Sequence, residues 1–208
     1  LDNYREILSK RYINGVLQSA YKKGKWWALI HSVPLNIIKS PKIACPQRSR
    51  YNVFGYDDFE TYASADVYYI SLNKKEFSLK YILSILNSKL VYFWLYWMGK
   101  RKGEMLELYF EPLQFIPIKK ITSEEQSFFI KLADFIIFLK QQEQVTDINK
   151  LFSIYFEQIV DGMVYDLYFP ELLKQNNRTI IEHLGELPAF TESMSDNQKL
   201  EIINTVFN

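Results

Sequence analysis

Between Pro41 and Asp58 the chain reads PKIACPQRSRYNVFGYDD, and Gln47, Arg48, Ser49, Arg50 and Asn52 crowd together beside Tyr51. Flat guanidinium and amide groups make paired hydrogen bonds. Arginine matches the acceptor edge of guanine, and glutamine and asparagine match the mixed edge of adenine. Ser49 and Lys42 suit phosphate oxygens. A polar loop whose arginines pair with Asp57, Asp58 or Glu60 uses the same residues, and residue type alone does not choose between the two.

A second cluster is Gly99-Lys100-Arg101-Lys102-Gly103. Three adjacent cations repel one another unless anions neutralise them, which a phosphate backbone does with release of counterions; an ordinary solvated loop is the plainer reading. Lys22, Lys23 and Lys25 beside Trp26 and Trp27 make a weaker third cluster, its tryptophans read as core. On residue type, Gln47, Arg48, Arg50 and Asn52 are the candidates for base readout. Lys25, Lys42, Ser49, Lys100, Arg101 and Lys102 are the candidates for phosphate contact.

Other chemistries find little support. His31 and His183 lie far apart, with no cysteine or histidine at metal-ligand spacing, so no metal site is expected. The seven glycines form neither GxGxxG nor GxxxxGKS, and no GxSxG is present. Asp57-Asp58 reads as a pair of solvated acids in a turn rather than a catalytic dyad. Cys45 is the lone cysteine and reads as a small buried apolar side chain; no disulfide forms, which fits a reducing cytosol and a cytoplasmic protein. The apolar run Tyr81 to Gly99 is interrupted by Asn87, Ser88 and Lys89, and a central charge costs ~3 kcal/mol in a bilayer, so a buried helix is expected and no membrane. The chain begins at Leu1 without a signal pattern, as a fragment would.

Charge divides the chain. Residues 1–120 hold 19 Lys/Arg against 10 Asp/Glu, a net of +9, and residues 121–208 hold 6 against 14, a net of −8. Such asymmetry hints at one half that faces a polyanion. Apolar periodicity predicts a helical linker over 1–20, from Leu1, Tyr4, Leu8, Tyr12 and Val16. WWALI, KIAC, YNVF and DVYYISL predict strands, with Gly55-Tyr56-Asp57-Asp58 as a turn. Ser78 caps a helix expected to run to Asn87 and on through Trp97, after which MLELYF and LQFIPI read as extended, jointed at Pro112. Thr122 with Glu125, and Ser123 with Gln126, have capping-box spacing. Helices follow from there, over Asp147 to Tyr168, near Glu171–Leu184 and near Asn197–Val206. The expected fold is α+β: a mostly antiparallel sheet with packed helices over 21–120, then an acidic, all-helical subdomain over 121–208 turned away from any polyanion.

In this order, PKIACPQRSRYNVFGYDD, YASADVYYI (Tyr62 to Ile70), SLKYILSILNSKLVYFWL (Ser78 to Leu95) and GKRKGEMLELYFEPLQFIPI (Gly99 to Ile118) resemble the TaqI-like C-terminal specificity domain. That domain belongs to N6-adenine DNA methyltransferases, among them Type IIG restriction-modification enzymes. RYINGVLQSAYKKGKWWALI is similar to the linker leading in from the methylase domain, and IVDGMVYDLYFPELL (Ile159 to Leu173) to the helical tail. The resemblance implies sequence-specific binding of double-stranded DNA. It also implies a separate methylase domain that uses S-adenosylmethionine on a flipped adenine, with Mg where a nuclease is fused. The family's Asn/Asp-Pro-Pro-Tyr/Phe motif, its glycine-containing cofactor motif and an Asp…Glu-x-Lys nuclease pattern are absent here, so this stretch is expected to hold no catalytic residue and no cofactor. A protein-interaction module binding a partner subunit, and a small enzyme with an unfamiliar site, are the competing expectations.

Overall fold

The computed structural model describes residues 2–9, 24, 33–73, 76–142 and 146–207. The expected strand at Trp26–Ile30, Lys25 and most of the expected linker helix lie outside these residues. Of the linker, a 3-10 turn at Asp2–Tyr4 and a short helix, α1 (Arg5–Ser9), are described. One further turn of helix, α2 (Leu35–Lys39), precedes the sheets.

Two small antiparallel sheets follow. In the first, β1 (Lys42–Pro46) lies between β3 (Gly55–Asp57) and β4 (Val67–Ile70). Lys42 stands opposite Asp57, and Ile43 opposite both Tyr56 and Ile70. Alternation along β1 sends Ile43 and Cys45 into the core. In the second sheet β6 (Met105–Glu107) lies between β2 (Arg48–Ser49) and β5 (Arg101–Lys102). Gln47 is the pivot between the sheets. Its N–H donates to Asp66 O at 2.6 Å on the first, and its carbonyl accepts from Leu108 N at 2.8 Å beside the second.

Two expectations change here. YNVF is not a strand; the strand is the following Gly55–Asp57, which the sequence marked as a turn. Glycine and aspartate favour turns, but pairing with β1 and an ion pair to Lys42 override that preference. The joint expected at Pro112 between MLELYF and LQFIPI is itself helical: α5 (Phe110–Leu113) takes one turn there with Pro112 buried inside it, and no strand forms over LQFIPI.

The helix after Ser78 also stops short. It forms as α3 (Leu79–Leu86) and then α4 (Lys89–Met98). Ser78 caps the first by accepting from Lys80 N, and Ser88 starts the second by accepting from Val91 N at 3.2 Å. A serine able to cap breaks a run that apolar pattern alone would continue. α3 is buried from Tyr81 to Leu86 and forms the centre of the molecule. Against it packs α6 (Ser123–Gln141), and against α6 packs α7 (Asp147–Tyr168). Thr122 and Glu125 close the capping box: Glu125 N donates to Thr122 Oγ1 at 3.2 Å, and Thr122 N to Glu125 Oε2 at 2.8 Å. Gln126 does other work. Its Oε1 accepts from Ser78 N at 2.8 Å and its Nε2 donates to Glu76 O at 2.8 Å, tying α6 to the start of α3. α8 (Pro170–Gln175), a 3-10 turn at Ile181–His183 and α9 (Asp196–Phe207) complete the described chain.

The core is one continuous cluster, from Ile43 and Phe54 through Leu83 and Phe129 to Phe156 and Ile203. The α+β character expected from sequence is the observed one, and the helices after residue 120 share this core with the strands before it. Part of the charge split is internal too. Lys80 pairs with Asp134 at 2.5 Å and Lys89 with Asp161 at 3.2 Å, so acids of the second half neutralise lysines of the first. No described helix is long and apolar enough to cross a membrane.

Candidate nucleic-acid interface

The two basic segments meet in the second sheet. Arg48 pairs across the strands with Glu107, and Ser49 with Leu106. On the far side of β6, Arg101 stands opposite Leu106 and Lys102 opposite Met105. The Lys100–Lys102 segment, expected as a loop, is thus one arm of a hairpin. Gly103 turns it with φ +62, a left-handed value that glycine adopts without a steric penalty. Gly99 is needed for a different reason: a Cβ there would lie 2.5 Å from the Leu95 carbonyl oxygen at the end of α4.

Glu107 is the hub, and the sequence reading missed it. Arg48 Nε donates to its Oε1 at 3.1 Å, and the Tyr109 hydroxyl donates to its Oε2 at 3.1 Å. Lys100 Nζ lies 3.9 Å from the same carboxylate and 3.9 Å from Glu111, with the Tyr109 ring centroid 5.3 Å away. Burial by itself would raise the Glu107 pKa. The hydrogen bonds from Arg48 and Tyr109 and the charge of Lys100 outweigh it and hold the carboxyl below its usual range. Lys100 is pushed up, first by the Tyr109 oxygen and then by the two glutamates. Strand alternation in MLELYF marks Glu107 as a strand residue and Tyr109 and Lys100 are near it in sequence, but nothing local names Arg48, 59 positions upstream, as its partner.

The remaining candidates separate cleanly. Arg101 lies with its guanidinium 4.1 Å from the Tyr96 ring centroid. Arg50 and Lys102 are exposed and have no ion-pair partner among the described residues. Ser49 Oγ accepts from Tyr51 N at 3.4 Å and shapes the turn that presents Arg50. Gln47 is half-buried at the pivot.

Two candidates leave the interface. Lys42 is 0% exposed. Its ammonium donates to Ile38 O at 2.9 Å and Phe59 O at 2.7 Å and pairs with Asp57 Oδ2 at 3.1 Å. Three donors have three partners, which leaves none for a phosphate. Asn52 is held in the same way: its Nδ2 donates to Leu86 O at 2.7 Å and Ser88 O at 2.9 Å, the carbonyls at the α3–α4 corner. Asn87 answers from that corner, with Oδ1 accepting from Phe54 N at 3.0 Å and Nδ2 donating to Phe54 O at 2.9 Å. These two asparagines fix the segment behind Arg50 to the helices. Asn52 is therefore a positioning residue. Of the three acids expected to absorb the arginines, Asp57 is engaged by Lys42 and Glu60 by Lys39, and no ion pair joins Asp58 to an arginine among the described residues.

Cys45 is buried, its thiol 3.5 Å from Leu108 O and pushed up to about 12 by burial, so it behaves as a packing residue.

The elements define a small α+β unit of two antiparallel sheets backed by helices and carrying a basic hairpin. The chain belongs to the TaqI-like C-terminal specificity domain family, whose model matches residues 1–118. It is similar to the Type II methyltransferase M.HindII of Haemophilus influenzae strain Rd, at 32% identity over 127 residues, covering 58% of this chain and 24% of that protein. It is similar also to the Type II methyltransferase M.HincII of Haemophilus influenzae, at 33% identity over 129 residues with the same coverage of each. The chain thus spans about a quarter of the length of the curated relatives it matches.

Proposed function

We propose that this chain is the sequence-specific, duplex-DNA-reading module of an adenine-specific Type II DNA methyltransferase. The observation that carries the reading is the pairing of β2 with the β5–β6 hairpin. It puts Arg48, Arg101 and Lys102 from two distant segments into one small sheet, with Arg50 and Lys100 next to its strand ends. Against these five cations stand Glu104, Glu107 and Glu111, so segments 47–52 and 99–111 carry a net of +2. That is a modest attraction for a polyanion, so base contacts must supply much of any selectivity.

Arg48 is suited to base readout because Glu107 engages only Nε, leaving the terminal nitrogens to approach guanine in paired fashion. Gln47 and Arg50 complete the reading set. Ser49, Lys100, Arg101 and Lys102 serve the phosphates. Methyl transfer belongs to the rest of the parent protein. These residues do not fit S-adenosylmethionine, since both described sheets are antiparallel and the sequence has no glycine-rich strand-to-helix loop. Any fused nuclease and its Mg would lie there also, and the protein would work in the cytoplasm.

The test is retention of fragments from a random duplex pool by the purified chain, followed by sequencing. An enriched motif that degenerates at one position in Arg48→Ala is the expected result. No retention near ~50 mM salt would favour a module that binds a partner protein instead.

A further inference from the structure

Beside the basic sheet α4 presents an unusual face. Val91 and Leu95 are buried on one side, while Phe93, Trp97 and Met98 are 61%, 64% and 71% exposed on the other. The rings form a connected series. Tyr51, itself 65% exposed and adjacent to Arg50, lies 6.0 Å from Tyr92; Tyr92 lies 6.0 Å from Tyr96; Tyr96 lies 5.3 Å from Trp97; and Phe93 lies 6.2 Å from Trp97. The series ends under Arg101, 4.1 Å from the Tyr96 ring. It therefore runs from one basic segment of the sheet to the other.

Contiguous exposed aromatic surface marks an interaction site, and the flanking charge says what kind. Arg50, Arg101 and Lys102 have no carboxylate partner among the described residues. A ligand with flat apolar faces joined by anionic links fits both features, which is a nucleic acid with bases exposed. Base exposure decides the form of that nucleic acid. In a perfect duplex each base face is covered by its neighbours in the stack, so exposed rings can stack only on bases that have left it.

We propose that the Tyr51–Tyr92–Tyr96 series with Phe93 and Trp97 binds unpaired bases of a locally opened duplex, next to phosphates held by the sheet. The inference rests on the DNA reading above and extends it: the preferred ligand is duplex with an unstacked strand at the site, rather than perfect duplex.

Fluorescence anisotropy with labelled DNA tests it on the full chain, using a perfect duplex, the same duplex with a bulge of unpaired thymines, and oligothymidine. The bulged duplex should bind at least ~10-fold more tightly than the perfect one, the gain from stacking a base or two. In Phe93→Ala/Trp97→Ala that preference should collapse while affinity for perfect duplex is kept. Both side chains are exposed, so melting should match the parent chain. Equal binding of perfect and bulged duplex, or a preference that survives the double substitution, overturns the inference and leaves the duplex-reading function standing. Tighter binding of oligothymidine than of bulged duplex overturns it in favour of a single-strand site. Self-association abolished by the double substitution overturns it in favour of an interface between copies. Failure to bind any of the three removes the function and the inference together.

Discussion

The two sheets each carry a cross-strand pair of lysine or arginine with a carboxylate, and the pairs do opposite things. In the first sheet Lys42 faces Asp57 with every ammonium donor occupied, and the cation is sealed from solvent. In the second, Arg48 and Lys100 share Glu107 and keep side chains 42% and 59% exposed. What separates a structural cation from a recognition cation is the count of donors already satisfied. A tally of lysines and arginines along the chain overstates the surface available to a polyanion, since Lys42, Lys80 and Lys89 answer to internal acids.

The largest effect that would break this contrast is at Lys42. Lys42→Met leaves Asp57 without its cation and takes the ammonium donor away from the carbonyls of Ile38 and Phe59. We expect about 3 kcal/mol of lost stability in urea unfolding, with the DNA salt dependence of the folded protein unchanged. A loss below about 1 kcal/mol would mean the pair is not structural.

Arg101→Ala/Lys102→Ala should do the reverse: melting within about 0.5 kcal/mol of the parent, and affinity for any duplex lowered about 10-fold at moderate salt, alike for all sequences. Glu107→Gln sharpens the same point from the other side. Removing the charge between Arg48 and Lys100 should tighten non-specific binding and blur base preference, because Arg48 loses its anchor. Gly103→Ala forces a side chain into a left-handed backbone and should cost ~1 kcal/mol while weakening DNA binding through the hairpin.

The smallest effect is in acid. Asp57 and Glu107 both have pKa values below the usual carboxylate range, against the opposing pull of burial. Their folded values are depressed, so the stabilisation is complete at neutral pH. It is lost as pH falls below the ordinary carboxylate pKa and through the depressed one. Urea midpoints followed from neutral pH into the acid should decline there, and Asp57→Asn should flatten part of that decline.

What the sequence made legible was local. The Thr122–Glu125 capping box and the Asp147–Tyr168 helix depend on residues within a turn or a few turns of one another, and both appear as the pattern predicts. What it hid was long-range pairing. Gly55–Asp57 looks like a turn until β1 lies beside it, and Asn52 looks like a base reader until the α3–α4 corner claims its amide. Glu107 joins Arg48 across 59 positions of chain, a separation at which no spacing rule operates. The candidates that stayed on the surface did so because their strands are two residues long and end in turns, leaving little backbone on which to bury them.

Salt dependence of duplex binding separates the two kinds of cation, measured side by side for the parent chain, Lys42→Met and Arg101→Ala/Lys102→Ala. Each cation that meets a phosphate adds about 0.9 to the steepness of log K against log salt. A sealed Lys42 and an exposed hairpin mean that the double substitution reduces the slope by about 2 and that Lys42→Met leaves it unaltered. Equal slopes for the parent and the double variant, or a slope reduced by Lys42→Met alone, would mean that the hairpin cations do not meet phosphates.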